Sequence, residues 1–278
     1  MFKYSATQWI FGNEPMEVSL QRLKKYGYDG VELAGEPKQI DSETVNWLLE
    51  QYELECTSIC GIYTPERDLS SSDEAIRQNA VQYVKDCVDL AVNVGAATLI
   101  VVPSPVGKSK PDTTIEQEWS NVVQSLREAG AYAQSHHINL AIEALNRFET
   151  YLVNKLNDAK KLVEQVDLPS VKIMADLFHM NIEERDHSAA IRHIAPYLAH
   201  VHIADNTREA AGFGMTDFEK VVRTLIELDY KGPLTMEFLP PVANPYLVAR
   251  SDRSEAGSVY DEYTRQSIEH MKKIVSSI

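Results

Sequence analysis

The strongest constraint on the fold of this chain is an eightfold alternation of two apolar patterns. Short β-branched or apolar runs occur at 3–11 (KYSATQWIF), 30–34 (GVELA), 54–60 (LECTSIC) and 97–102 (ATLIVV). Four more follow at 139–145 (NLAIEAL), 171–177 (VKIMADL), 198–205 (LAHVHIAD) and 233–239 (PLTMEFL). Such runs read as strands. Between them lie segments whose apolar residues recur three or four apart, the spacing of one helix face. These cover about 15–26, 41–52, 73–94, 115–135, 157–166, 187–194, 217–228 and 258–276. In the clearest, 73–94, Ser71 stands three before Glu74 as in a capping box, and Gly95 offers a stop. Ile76, Ala80, Val84, Cys87, Val88 and Ala91 mark its buried face.

A strand followed by a helix, repeated, implies a parallel sheet. Eight such pairs in 278 residues predict a single (β/α)8 TIM barrel spanning 1–278 as one domain, since closed barrels of this kind need about 250 residues. An open doubly wound sheet would want a glycine-rich turn after its first strand, and the chain has FGNEPM there.

Composition narrows the function class. A formal net charge of −14 opposes a nucleic-acid partner, because a phosphate backbone calls for clustered Lys and Arg. No apolar run approaches the roughly 18 residues of a membrane span, so no membrane partner is expected. The N-terminal stretch MFKYSATQWIFGNEP lacks an apolar core after a basic start and is not expected to be a signal peptide. Cys56 and Cys60, four apart, are expected on one strand face, and with Cys87 they match no zinc ribbon or redox pair. Buried reduced thiols and a cytoplasmic location follow.

Barrels of this class place their chemistry at the C-terminal ends of the strands. Strand five ends with Glu143, strand six with Asp176, strand seven with His202 and strand eight with Glu237. Each sits in an apolar run, where an unpartnered polar group costs several kcal/mol, roughly 2–7. Any one alone reads as a satisfied polar residue. Four successive strand ends, however, converge on one point. Three carboxylates and an imidazole make a hard, oxygen-rich set suited to Mn²⁺, Mg²⁺ or Co²⁺. Alternation along HVHIAD puts His200, His202 and Ala204 on one face. His200 then lies one layer deeper, in support or packing, and Asp205 reads as structural.

Three further residues fall just beyond their strands, in loops that would rim the mouth: Glu149, His179 and Arg208. Arg208 suits a hydroxyl- or carbonyl-rich ligand through paired hydrogen bonds, with a salt bridge to an acidic neighbour as the plainer reading. Trp9, Glu36, Cys60 and Pro103 also lie near strand ends, where packing is the simpler expectation. Gly212 and Gly214 read as a plain turn, since no Lys/Arg pair accompanies them as a phosphate would want.

The stretches AIEALNRFE, MADLFHMNIEE, HVHIADNTRE with GFGMTDF, and GPLTMEFLPP resemble the xylose-isomerase-like sugar isomerase/epimerase superfamily. The similarity is strongest to the ketose 3-epimerases of the D-tagatose/D-psicose type, and KKYGYDGVEL and DLSSSDEAIRQNA extend it over nearly the whole chain. The resemblance implies that Glu143, Asp176, His202 and Glu237 bind one divalent metal, Mn²⁺ foremost, and that Glu149, His179 and Arg208 hold a sugar. It also implies a homo-oligomer, dimer or tetramer, with the tail 240–263 as a lid or subunit contact. One departure concerns the substrate: Met215 follows the glycine pair where a histidine is common. DLFHMNIEE and HVHIADN are similar as well to relatives acting on keto-glycosides.

The expected reaction inverts the carbon beside a ketone through a cis-enediolate, with Glu143 and Glu237 as the acid/base pair. An aldose–ketose isomerase would use nearly the same groups. A lyase cleaving carbon-linked glycosides after oxidation would use them with a small partner subunit. A metal-dependent nuclease on this scaffold would need a basic face, and a non-catalytic sugar-binding barrel would tolerate loss of both glutamates.

Overall fold

Each apolar run forms a parallel strand, and the strands hydrogen-bond in chain order until the eighth meets the first, closing a barrel. The computed structural model describes residues 2–241 and 257–278. The first four strands are β1 (Tyr4–Thr7), β2 (Gly30–Gly35), β3 (Glu55–Gly61) and β4 (Thr98–Val101). The others are β5 (Asn139–Ile142), β6 (Val171–Asp176), β7 (Leu198–Ile203) and β8 (Leu234–Met236). Several are shorter than their apolar runs because the last residues turn into the loops that carry the polar groups. After β1 the run continues as a 3-10 turn, Gln8–Phe11.

The helices are α1 (Met16–Tyr26), α2 (Ser42–Tyr52), α3 (Glu74–Val94), α4 (Ile115–Ser135) and α5 (Leu156–Val166). They continue with α6 (Leu177–Glu183), α7 (His187–His193), α8 (Phe218–Glu227) and α9 (Gly257–Ser277). Helix α6 departs from the sequence reading. Two turns are too few for a periodic signal, and the helix exists because Asp176, at the end of β6, accepts the His179 N–H at 3.0 Å. The start of α3 also differs from expectation. Asp73 caps it by accepting the Ala75 N–H at 2.8 Å, and Ser71 instead accepts the Asp73 N–H at 3.1 Å. No described helix is long and apolar enough to cross a membrane.

Two register shifts set which side chains enter the barrel. Val31 pairs with Cys56 but Glu32 with Ser58, so Thr57 is an extra residue on β3. Such a bulge reverses the alternation beyond it. Cys56 therefore packs in the main core between sheet and helices, while Cys60 joins Ile100, Ala141 and Met174 inside the barrel. The shared face expected for Cys56 and Cys60 is thus corrected, though all three cysteines are buried and free. On β7 the extra residue is Ala199, and beyond it Asp176 stands level with His202.

Helix α9 closes the ring. Arg22 of α1 is buried and bridges Glu14 and Asp261, the latter at 2.8 Å, while Tyr28 donates to the Thr264 carbonyl at 2.8 Å. On its other flank α9 reaches the loop after β7: Tyr263 donates to Glu209 at 2.6 Å, and Ser267 accepts the Ala211 N–H at 3.2 Å. The tail at 240–263 was expected to form a lid or subunit contact. Most of it, 242–256, lies outside the described residues.

Candidate active site

The last hydrogen bonds of the ladder deliver the site. The Glu143 N–H donates to the Val101 carbonyl at 2.9 Å and the Glu237 N–H to that of Ile203 at 3.0 Å. Both glutamates thus sit one step past β5 and β8. The structure brings all four side chains together: each is buried and offers a ligand atom, and those atoms lie within 4.8 Å of one another. His202 Nδ1 is 3.2 Å from Glu237 Oε2 and 3.5 Å from Asp176 Oδ2.

These groups fit a divalent cation. Two ligand atoms each about 2.1 Å from one hard ion, at roughly right angles, stand about 3 Å apart, close to the spacings around His202. Asp176 Oδ2 and His202 Nδ1 are buried without a hydrogen-bond partner among the described residues, an arrangement that is costly unless something else contacts them. Burial raises the Glu143 carboxyl well above the usual carboxylate range, and Glu237 and Asp176 push it further. Burial works against a charged His202, yet Glu237 and Glu32 outweigh it and raise this imidazole well above its ordinary value. Like charges crowded around an imidazole are what a cation would relieve.

The three rim residues also converge. Asn146 donates its backbone N–H to His179 Nδ1 at 3.2 Å. That bond makes Nδ1 an acceptor and leaves the proton on Nε2, which faces Glu143 Oε1 at 3.8 Å. Burial lowers the His179 pKa and so favours the neutral imidazole. Glu149 accepts from the Asn146 amide at 2.8 Å and lies 3.8 Å from Arg208 Nη1. Arg208 donates to Glu237 Oε2 at 3.2 Å and lies over the Phe178 ring, 4.5 Å from its centroid.

Sequence reasoning missed several members of the site. Asn146 is the hinge between Glu149 and His179, and its signal is only its place in the same loop. Trp9 reaches the site rather than merely packing, for its indole N–H donates to Glu237 Oε1 at 3.0 Å. Glu32, in the middle of β2, lies under His202 and contacts both histidines of β7. Of the softer candidates, Glu36 is taken up by an ion pair with Arg67 at 3.0 Å, Cys60 lines the barrel interior, and Pro103 is buried beyond β4.

Arg208 is held by an unusual loop. It has φ of 62°, a left-handed conformation uncommon for a non-glycine residue. Asp205 organises the turn: its carboxylate accepts the N–H groups of Asn206, Gly212, Gly214 and Thr216 at 2.8–3.0 Å. A methyl group at Gly214 would run into Asn206 and that carboxylate. The glycine pair is therefore the expected plain turn, its donors already committed to Asp205.

Asp205 carries a stability prediction. Burial opposes its charge, but the N–H groups of Thr216, Gly214 and Asn206 outweigh that and hold the carboxyl below its ordinary range. A lowered folded-state pKa stabilises the protein above the unfolded value, about 3.9, and the contribution is lost as pH falls through the folded value. Asp205→Asn is expected to destabilise the fold by about 1–3 kcal/mol at neutral pH. Urea unfolding should show the gap between variant and parent closing below about pH 4.

Comparison with known proteins follows the same lines. A family model described as xylose isomerase-like TIM barrel matches residues 20–274. A D-psicose 3-epimerase from Ruminiclostridium cellulolyticum is 32% identical over 233 residues, covering 78% of this chain and 76% of its own. A 3-dehydro-D-guloside 4-epimerase from Escherichia coli is 30% identical over 222 residues, covering 77% of this chain and 84% of its own. The crystal structure of a D-psicose 3-epimerase with D-tagatose from Clostridium cellulolyticum superimposes with a TM-score of 0.87. That match covers 98% of this chain and 99% of the other at 24% identity, which speaks to the fold.

Proposed function

Because the chain belongs to the xylose isomerase-like TIM barrel family, we propose that it is a divalent-metal-dependent epimerase inverting the carbon beside the ketone of a free ketose. It is an enzyme of the isomerase class, like the epimerases it is similar to. The observation that carries the finer reading is the buried ring of Glu143, Asp176, His202 and Glu237, with two atoms turned inward and unpartnered.

Those four residues would hold the cation, with Mn²⁺ the best match to three carboxylates and one imidazole. When bound, the cation supplies positive charge next to the oxygen that becomes negative as the enediolate forms. The rest falls to side chains. Glu143 and Glu237 approach the reacting carbon from different strands, β5 and β8. One takes its proton, and the conjugate acid of the other returns a proton to the opposite face. The two glutamates then differ in protonation from where they began, and exchange with water restores them. His179 offers its Nε2–H to a sugar oxygen, with Asn146 fixing that tautomer. Arg208 orients the ketone end, and Glu149 binds a hydroxyl while steadying Arg208 and, through Asn146, His179.

A second reading concerns the sugar. The Escherichia coli relative is named for a 4-epimerisation of a keto-glycoside, and the same residues would serve that substrate, whose ketone also lies beside the inverted carbon. The distinguishing experiment offers D-psicose and a 3-keto-glucoside to the Mn²⁺-loaded and chelator-treated protein and resolves products by chromatography. A C3 epimer of the ketose, formed only with metal, supports the first reading. Conversion of the keto-glucoside alone moves the assignment to the second.

Arg208 separates binding of sugar from binding of metal. Arg208→Ala is expected to keep Mn²⁺ affinity within a few-fold and to lower kcat/KM by about 100-fold, the scale of a misplaced substrate. Steady-state kinetics beside a metal titration checks both halves.

A further inference from the structure

Glu32 has no part in the chemistry described so far, yet it is completely buried at the centre of the barrel. A fully buried carboxylate costs several kcal/mol, and well-packed apolar residues usually replace such groups without loss. Packing therefore does not account for it. Its contacts do. Oε1 lies 3.1 Å and Oε2 3.3 Å from His202 Nε2, across 170 residues of chain. Oε2 also lies 2.9 Å from His200 Nε2 and accepts the Ser58 hydroxyl at 2.7 Å. Ser58 is level with Glu32 because of the bulge at Thr57. The two imidazoles meet edge to face, with centroids 5.1 Å apart.

We propose that Glu32 is a positioning residue that grips the Nε2–H of His202 and so presents Nδ1, as the metal-binding atom, to Glu143, Asp176 and Glu237. An imidazole that gives one nitrogen to a metal keeps its proton on the other. A carboxylate within 3.3 Å of Nε2 and on the far side from the ring decides which nitrogen that is. The same bond fixes the plane of the ring and raises the donor strength of Nδ1. Ser58 donates to Glu32 Oε2 and His200 lies against the same oxygen, which limits how far the carboxylate can turn and gives the supporting histidine of β7 its role. A second cation between Glu32, His200 and His202 is the competing arrangement. The His202 hydrogen bonds at 3.1 and 3.3 Å and the Ser58 hydroxyl on Glu32 Oε2 favour the hydrogen-bonded arrangement.

The inference rests on the reading that the four-residue ring holds a divalent cation. It is tested on the full-length, metal-stripped protein by titrating Mn²⁺ and reading the free ion by electron paramagnetic resonance. The parent is expected to bind one equivalent. Glu32→Gln is expected to bind it about 10–100-fold more weakly, with a melting temperature in chelator close to that of the parent. Nitrogen-15 histidine spectra of the Mg²⁺-loaded parent should show His202 protonated at Nε2, a signature that a merely structural carboxylate would not set. Equal affinity in folded Glu32→Gln, a second tight equivalent of Mn²⁺ in the parent, or a His202 proton on Nδ1 overturns the inference while leaving the ring intact. If Glu32→Gln does not fold, the spectrum of the parent decides alone. Absence of Mn²⁺ binding by the parent overturns the metal reading and this inference together.

Discussion

Glu143→Gln and Glu237→Gln should each lower turnover by about 1,000-fold or more while the protein stays folded. Positioned acid/base groups contribute about 100–10,000-fold, and each of these glutamates is also asked to hold the cation. Glutamine keeps the shape and removes both capacities. For Glu143 the sign of the stability change is part of the prediction. Its carboxyl is held well above the usual range by burial and by the nearby Glu237 and Asp176. A neutral amide there resembles the uncharged carboxyl that this crowding favours, so the metal-free variant should melt no lower than the metal-free parent. Turnover measurements with calorimetry in chelator read both effects. Activity within tenfold of the parent in both variants would remove the two glutamates from the mechanism.

His202→Asn should lose cation and activity together. His202 stands between Asp176 and Glu237, at 3.5 and 3.2 Å, and a shorter amide cannot span the same gap with Nδ1. Even losing an outer partner of a ligand costs about 10–100-fold in metal affinity, so losing the ligand should exceed that. Partial recovery at high Mn²⁺ is expected, because three carboxylates remain. Metal titration beside turnover tests the link. Full activity in metal-stripped His202→Asn protein would contradict it.

Much of this site was legible in the sequence because its members break a pattern. Glu143, Asp176, His202 and Glu237 are polar residues at the ends of apolar runs, and the barrel topology gathers such ends without any knowledge of side-chain geometry. Glu32 breaks the pattern of GVELA in the same way. It went unassigned because it lies mid-strand, and what it faces depends on a register shift at Thr57 that leaves no mark in composition. The same shift separated Cys56 from Cys60. Trp9 shows a different limit: its partner Glu237 is 228 residues away, and an indole near a strand end reads equally well as core. In the turn that carries Arg208 the sequence marks Asp205 as structural and the glycines as a turn, but not the bonds that join them. Its organiser is Asp205, whose four N–H partners are spread over eleven residues of loop. Boundaries were shortest-sighted where a side chain, rather than periodicity, starts a helix, as Asp176 does for α6.

The central claim is that a metal-held site moves a proton at the carbon beside a ketone. It is tested most directly by incubating the Mn²⁺-loaded protein in D₂O with D-psicose or a 3-keto-glucoside and following deuterium at that carbon by NMR. The account predicts deuterium together with the epimer, and neither in chelator-treated protein or in Glu237→Gln. Exchange that persists in the metal-free protein, or epimer formed without deuterium from solvent, would contradict it.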